Sequence, residues 1–171
     1  VYFFILMDTT LGNKSRIYHS GYGYSQKRCS LITNWFISTF LPKHHIDVTV
    51  HHRGMVREDA VGYCDWIGTS YNPRDFEIEL QSGMDARFYT ETLLHELVHL
   101  RQWVQGTLKM RSGKFHWKNE DIHHIEYLKQ PHEVEAFREE GILYRRFMKE
   151  IYDVTVEKPI HYFPNRLTQS L

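Results

Sequence analysis

The chain has little cysteine, no surplus of either charge and no apolar run long enough to cross a membrane, and each shortage removes a class of protein. Two cysteines in 171 residues, Cys29 and Cys64, are too few and too far apart for a CxxC metal pair or a disulfide framework, so both read as reduced, buried thiols. Lys plus Arg and Asp plus Glu stand at 21 each, which leaves no global electrostatic footprint for nucleic acid or an anionic bilayer. The apolar residues 1–7 lack a preceding basic stretch and a small-residue cleavage site, so they read as a first strand or structured arm rather than a signal peptide. With no transmembrane segment recognised, the expected location is cytoplasmic; the chain starts on Val, and residues upstream of Val1 stay open. No repeat, low-complexity tract or linker divides the sequence. Its 42% hydrophobic and 15% aromatic content can bury one core, so residues 1–171 are expected to form a single domain.

Histidine is plentiful, with 12 residues, and two of them carry the most informative pattern in the chain. In His95-Glu96-Leu97-Val98-His99 the imidazoles stand four apart with a carboxylate between them. On a helix, residues i and i+4 share a face, so both rings can converge on one metal ion with Glu96 beside it. Leu93, Leu97, Leu100 and Val104 form a single apolar stripe, and neither Gly nor Pro interrupts residues 84–105. The pattern therefore sits inside an amphipathic helix, as the chemistry requires. A zinc hydrolase is the reading to beat.

Around that helix the periodicities predict a small α+β domain. Ser20 to Tyr24 reads as a loop, and Cys29, Ile32, Phe36 and Phe40 at helical spacing predict a helix over 26–41, stopped by Pro42. Ile46, Val48 and Val50 alternate with polar residues as a half-buried strand. Further strands are expected over 60–67 and, after the Asn72-Pro73 turn, over 76–80, giving a three-stranded sheet ahead of the motif. Residues 107–129 are polar and irregular. Pro131 then opens a helix running to about Tyr152. His44, His45, His51, His52 and His161 have no ligand spacing and read as surface or hydrogen-bonded residues.

Catalytic zinc sites use three protein ligands and leave a fourth position for water. The metzincin continuation needs a Gly and a His where this chain has Gln102 and Gln105, so that subclass is excluded. Candidates downstream are His116, His123, His124, His132, Glu133, Glu135, Glu139 and Glu140. Glu133 shares a helical face with Ala136, Phe137, Glu140 and Tyr144, the apolar side from which an inward-reaching ligand must come. Glu135 lies nearer Arg138 and Glu139.

The motif followed by Pro131-His132-Glu133-Val134-Glu135-Ala136 resembles the zincin metallopeptidases of the glutamate-ligand type. In several such families the zinc-binding Glu stands three residues before the Ala, which selects Glu133. A wider stretch, about residues 45–150, is similar to small phage and viral zincin-like proteins through Cys64, Pro73 to Ile78, Leu100-Arg101-Gln102 and Trp117-Lys118. These are loosely grouped with SprT-like peptidases, whose third ligand is a loop His; His116 stands in that region here without the usual His-Gly context. Phe137 departs from the glutamate zincins, which often carry a supporting Asp or Asn there. Glu91, Glu140 or a backbone carbonyl is left to hold a ligand histidine.

The resemblance implies a zincin-like fold: a small mixed sheet packed on the motif helix and a C-terminal helix carrying the third ligand. It implies a zinc-dependent metallopeptidase with metal ligands His95, His99 and Glu133, and with Glu96 as the general base for zinc-activated water. The partner is then a peptide or protein substrate, with no nucleic acid or membrane, docked on an edge strand for which residues 76–80 are the candidate. Tyr127, Tyr144 or His124 could donate to the oxyanion. Two other classes remain open: a non-cleaving zinc-stabilised binding or regulatory module, and an SprT-like protease acting on DNA-bound proteins. Substrate specificity and oligomeric state are not legible.

Overall fold

A computed structural model describes residues 15–157. The N-terminal apolar run and His161 lie outside the described residues.

The first unit is strand, helix, strand: β1 (Arg16–Gly21), α1 (Gln26–Phe40) and β2 (Asp47–Arg53). Parallel strands need a long crossover, and α1 supplies it. Ser25 caps its N-terminus by accepting from Arg28 N, and the chain leaves the helix at Leu41, ahead of Pro42. β3 (Gly62–Trp66) and β4 (Asp75–Gln81) complete a four-stranded mixed sheet in the order β1-β2-β4-β3. Here the sequence reading missed a strand. β1 was hidden because Arg16, Tyr18 and Ser20 interrupt its hydrophobic pattern, and because it runs straight into the glycine-rich loop.

One face of the sheet is apolar. Val48 stands beside Phe76, Val50 beside Ile78 and His52 beside Leu80, all buried, whereas Thr49, His51, Glu77 and Glu79 alternate onto the other face. The strict period of two marks a sheet that, among the described residues, buries one face fully and the other only in part. α1 and α2 (Ala86–Val104) lie on the fully buried side. Each fully buried Phe, Ile or Leu contributes about 1.5–3 kcal/mol.

α2 starts at Asp85, whose carboxylate accepts from Arg87 N and Phe88 N at 2.9 Å. It is buried on nearly every side, with 14 of its 19 residues inside, because the sheet, α1 and α3 (Pro131–Tyr152) all pack on it. A helix enclosed this way cannot leave polar side chains unpartnered. Residues 107–129, expected to be irregular, instead form a second, three-stranded antiparallel sheet of β5 (Leu108–Arg111), β6 (Lys114–Trp117) and β7 (Glu120–Asp121). Leu108 and Ile122 anchor it to the core. Its strands are too short for a periodic signal to emerge.

The described residues therefore form an α+β fold, with three α-helices and two small sheets among them. Among the described residues no helix is long and apolar enough to cross a membrane. Cys29 is buried and Cys64 half-buried, both as free thiols.

Candidate metal centre

α2 carries His95, Glu96 and His99 into the interior on the side facing α3, where Pro131 at the helix start leaves Glu133 in the first turn. All four side chains are buried. Among the described residues, His95, His99 and Glu133 form a group of ligand-type side chains whose donor atoms lie within 4.8 Å of one another. The Nε2 atoms of His95 and His99 are 3.2 Å apart. Each lies 3.4 Å from a different oxygen of Glu133.

The protons in this group follow from its outer contacts. Gln102 Nε2 donates to the His132 carbonyl at 3.0 Å and to Glu135 at 2.9 Å, so its Oε1 must be the atom facing His99 Nδ1 at 2.9 Å. An amide oxygen only accepts, and His99 Nδ1 therefore carries the hydrogen. Glu140 fixes His95 the same way, accepting from Nδ1 at 2.9 Å. Both neutral rings then present bare Nε2 lone pairs to each other and to a carboxylate. With both rings neutral, three acceptors converge, and the group calls for a positive charge among them, carried by a proton on an imidazole or by a metal ion.

That demand appears in the titration of the group. Burial drives the His95 imidazole down, but hydrogen bonds to Glu133 and Glu140 outweigh it and push the ring up to about 9. Burial would raise Glu133, yet its contacts with both imidazoles hold it well below the usual carboxylate range. A metal ion satisfies all three acceptors at once. Two imidazoles and a carboxylate, with Nδ1 hydrogens held by Glu140 and Gln102, match the donor chemistry and outer support of a metal-binding group.

The remaining candidates separate cleanly. Glu135 points to Gln102 and Arg101, Glu139 pairs with Arg101 at 2.9 Å, and Glu91 pairs with Arg87 at 3.1 Å. His116 lies on β6, with its Nδ1 on the Lys114 carbonyl at 3.1 Å, outside the group. His123 and His124 are exposed. His132 is buried against the group, its Nε2 3.5 Å from Glu133 and its Nδ1 without a partner. Burial first, then the neighbouring His99, pushes it down to about 4.

The group opens onto a cleft of about 380 Å³, walled on one side by Ala60 to Trp66 and on the other by Tyr127, His132 and Phe137. Glu96 reaches the same cleft. Of the three expected oxyanion donors, Tyr127 lines it, with burial and the nearby Glu133 carboxylate pushing its phenol up, whereas Tyr144 is buried with Arg87 stacked 5.2 Å from its ring centroid. The expected edge strand needs correction. β4, spanning the predicted 76–80, pairs on both sides and is interior; β3 is the edge and forms the cleft wall. Clean alternation reports one buried face and says nothing about whether both ladders are occupied.

Sequence reasoning gave Gln102 no role at the site, reading it as the absence of a glycine and as part of the Leu100-Arg101-Gln102 extension of the motif. Its signal was available as a polar residue three after His99 on a face that carries ligands. No protein-family model, no curated protein and no solved structure matches the chain.

Proposed function

We propose that this protein is a zinc-dependent metallopeptidase of zincin type. The observation that carries the reading is the convergence of His95 Nε2, His99 Nε2 and Glu133 at the floor of an open cleft, with Glu96 on the same helix at the cleft wall. His95, His99 and Glu133 would hold the ion, a donor set suited to zinc. When bound, zinc supplies Lewis-acid polarisation of a carbonyl and brings the pKa of water down towards about 7.

The chain's own groups do the rest. Glu96 accepts a proton from water and delivers it to the leaving amide nitrogen, a role that contributes about 10²–10⁴ in rate. Gln102 and Glu140 keep the Nδ1 hydrogens in place, so that both Nε2 lone pairs stay directed at the cleft. Among the described residues β3 has an unpaired strand edge along the cleft, to which an extended peptide can add as a further strand. Among the described residues the cleft lining includes Glu58, Asp59 and Asp65 but no lysine or arginine, which favours a free peptide over a protein presented on DNA.

The test is elemental analysis of purified wild type beside Glu133→Ala, followed by turnover of fluorescein-labelled casein. About one zinc per wild-type chain, little in the variant and cleavage that stops with Glu96→Gln support the peptidase. A zinc-loaded wild type that leaves casein and mixed peptide libraries intact would point to the non-cleaving module, which needs the ligands but has no use for Glu96.

A further inference from the structure

The edge strand of the cleft begins with a glycine whose reason is not in the strand. Gly62 pairs with Leu80 in the β3–β4 ladder, and its φ lies outside the left-handed region. Nothing in its backbone asks for glycine, and a strand interior prefers any residue with a Cβ. The reason is across the cleft. A Cβ built on Gly62 would lie 2.5 Å from Glu96 Oε1 and 3.0 Å from both Cδ and Cγ of the same side chain. The Glu96 carboxylate rests directly on the bare Cα of the strand.

We infer that Gly62 is a positioning residue for Glu96: by carrying no side chain it seats the carboxylate against the edge strand, at the height where a peptide added to that strand would present its carbonyl. The inference rests on Glu96 being the proton-transfer group. The contacting atoms are the far end of a flexible side chain, so the fold can absorb a methyl at position 62 by moving Glu96. What costs folding little then costs the reaction much, because general acid–base transfer depends on hydrogen-bond reach to the proton. Cys64 and Trp66, the next residues on the same face of β3, also line the cleft, but of the cleft-lining strand positions Gly62 meets the carboxylate at its Cα.

The experiment is Gly62→Ala in the full chain, made in the wild-type and the Glu96→Gln backgrounds. Three readouts are taken: zinc content and melting temperature, a crystal structure of the zinc-loaded variant, and kcat and KM on fluorescein-labelled casein. The variant is expected to keep about one zinc per chain and melt no lower than wild type, since a strand gains by Gly→Ala. The Glu96 carboxylate moves off the strand, and kcat falls about 10²-fold while KM stays within a factor of about two, as for an interaction used only in the transition state. In the Glu96→Gln background, where cleavage has already stopped, the substitution leaves zinc content and melting temperature at the values of that background. An unmoved carboxylate in the variant overturns the seat, as does a kcat that Gly62→Ala leaves at the wild-type value. Casein left intact by the zinc-loaded wild type overturns the peptidase reading instead, and the crystal structure then decides the seat without it.

Discussion

Two groups of buried histidine in this molecule obey the same rules of burial and end in opposite states. At the end of the sheet His52 is 2% exposed, with Nδ1 on the Ser20 carbonyl at 2.8 Å and Nε2 on the Tyr89 hydroxyl at 3.0 Å. Tyr24 stacks on its ring with centroids 3.4 Å apart, and that phenol in turn meets His19 Nδ1 at 2.8 Å. Every nitrogen of His52 is satisfied by a neutral partner. Between α2 and α3, His95 and His99 have their outer nitrogens satisfied and their inner ones turned on each other and on Glu133. A buried histidine is thus not a site in itself. What separates a structural ring from a ligand is whether its last lone pair already has a donor.

The largest expected effect lies on the α2–α3 side. On the proposed zinc reading, Glu133→Ala takes zinc content from about one per chain to near none while leaving His52 and its partners undisturbed. Metal analysis, with far-ultraviolet circular dichroism to check the fold, reads it. Zinc retained at the wild-type level by this variant would break the comparison, because the inner lone pairs would then not need the carboxylate.

The next effect belongs to His52 and depends on pH. Burial, with help from His19 and His51 and against the Ser20 contact, pushes the folded imidazole down to about 4 from a reference value of 6.5. Between those values the unfolded chain binds the proton and the folded chain does not. The stabilisation is therefore full above about 6.5 and is lost as pH falls towards 4, by about 3 kcal/mol in all. Chemical denaturation of wild type and His52→Gln at pH 7 and pH 4.5 measures it; the variant should show a shallower acid dependence and an unchanged zinc content.

Smaller still is the loss from freeing one outer nitrogen of a ligand. Gln102→Ala leaves His99 Nδ1 without its acceptor and weakens zinc binding by about 10–100-fold, with Glu140→Ala doing the same through His95. Competition with a chelator resolves changes of that size. At the bottom of the scale, Lys149→Ala removes the exposed i,i+4 pair with Asp153 and shifts stability by about 0.3–0.5 kcal/mol. If Gln102→Ala is equally silent, the outer hydrogen bonds do not hold the rings, and the contrast with His52 loses its basis.

Much of this was legible from order and spacing alone. Residues four apart share a helical face whatever surrounds them, so His95 and His99 could be paired on paper, and the apolar face of α3 pointed to Glu133. The α+β class, α1, the strand around Val48 and Val50, and the helix from Pro131 are likewise short-range consequences of period and punctuation. Strand order is not short-range. That β1 joins the sheet, that β4 is interior and that β3 forms the cleft edge follow from which ladders close in space, and a two-residue period is the same in each case. The proton positions on His95 and His99 depend on Gln102 and Glu140, and the Gln102 amide is itself oriented by α3. The contact between Gly62 and Glu96 spans 34 residues of chain and two different elements. Local repetition could declare which residues share a face; only packing could decide which faces meet, because burial and hydrogen-bond satisfaction are properties of neighbours that the chain brings together from afar.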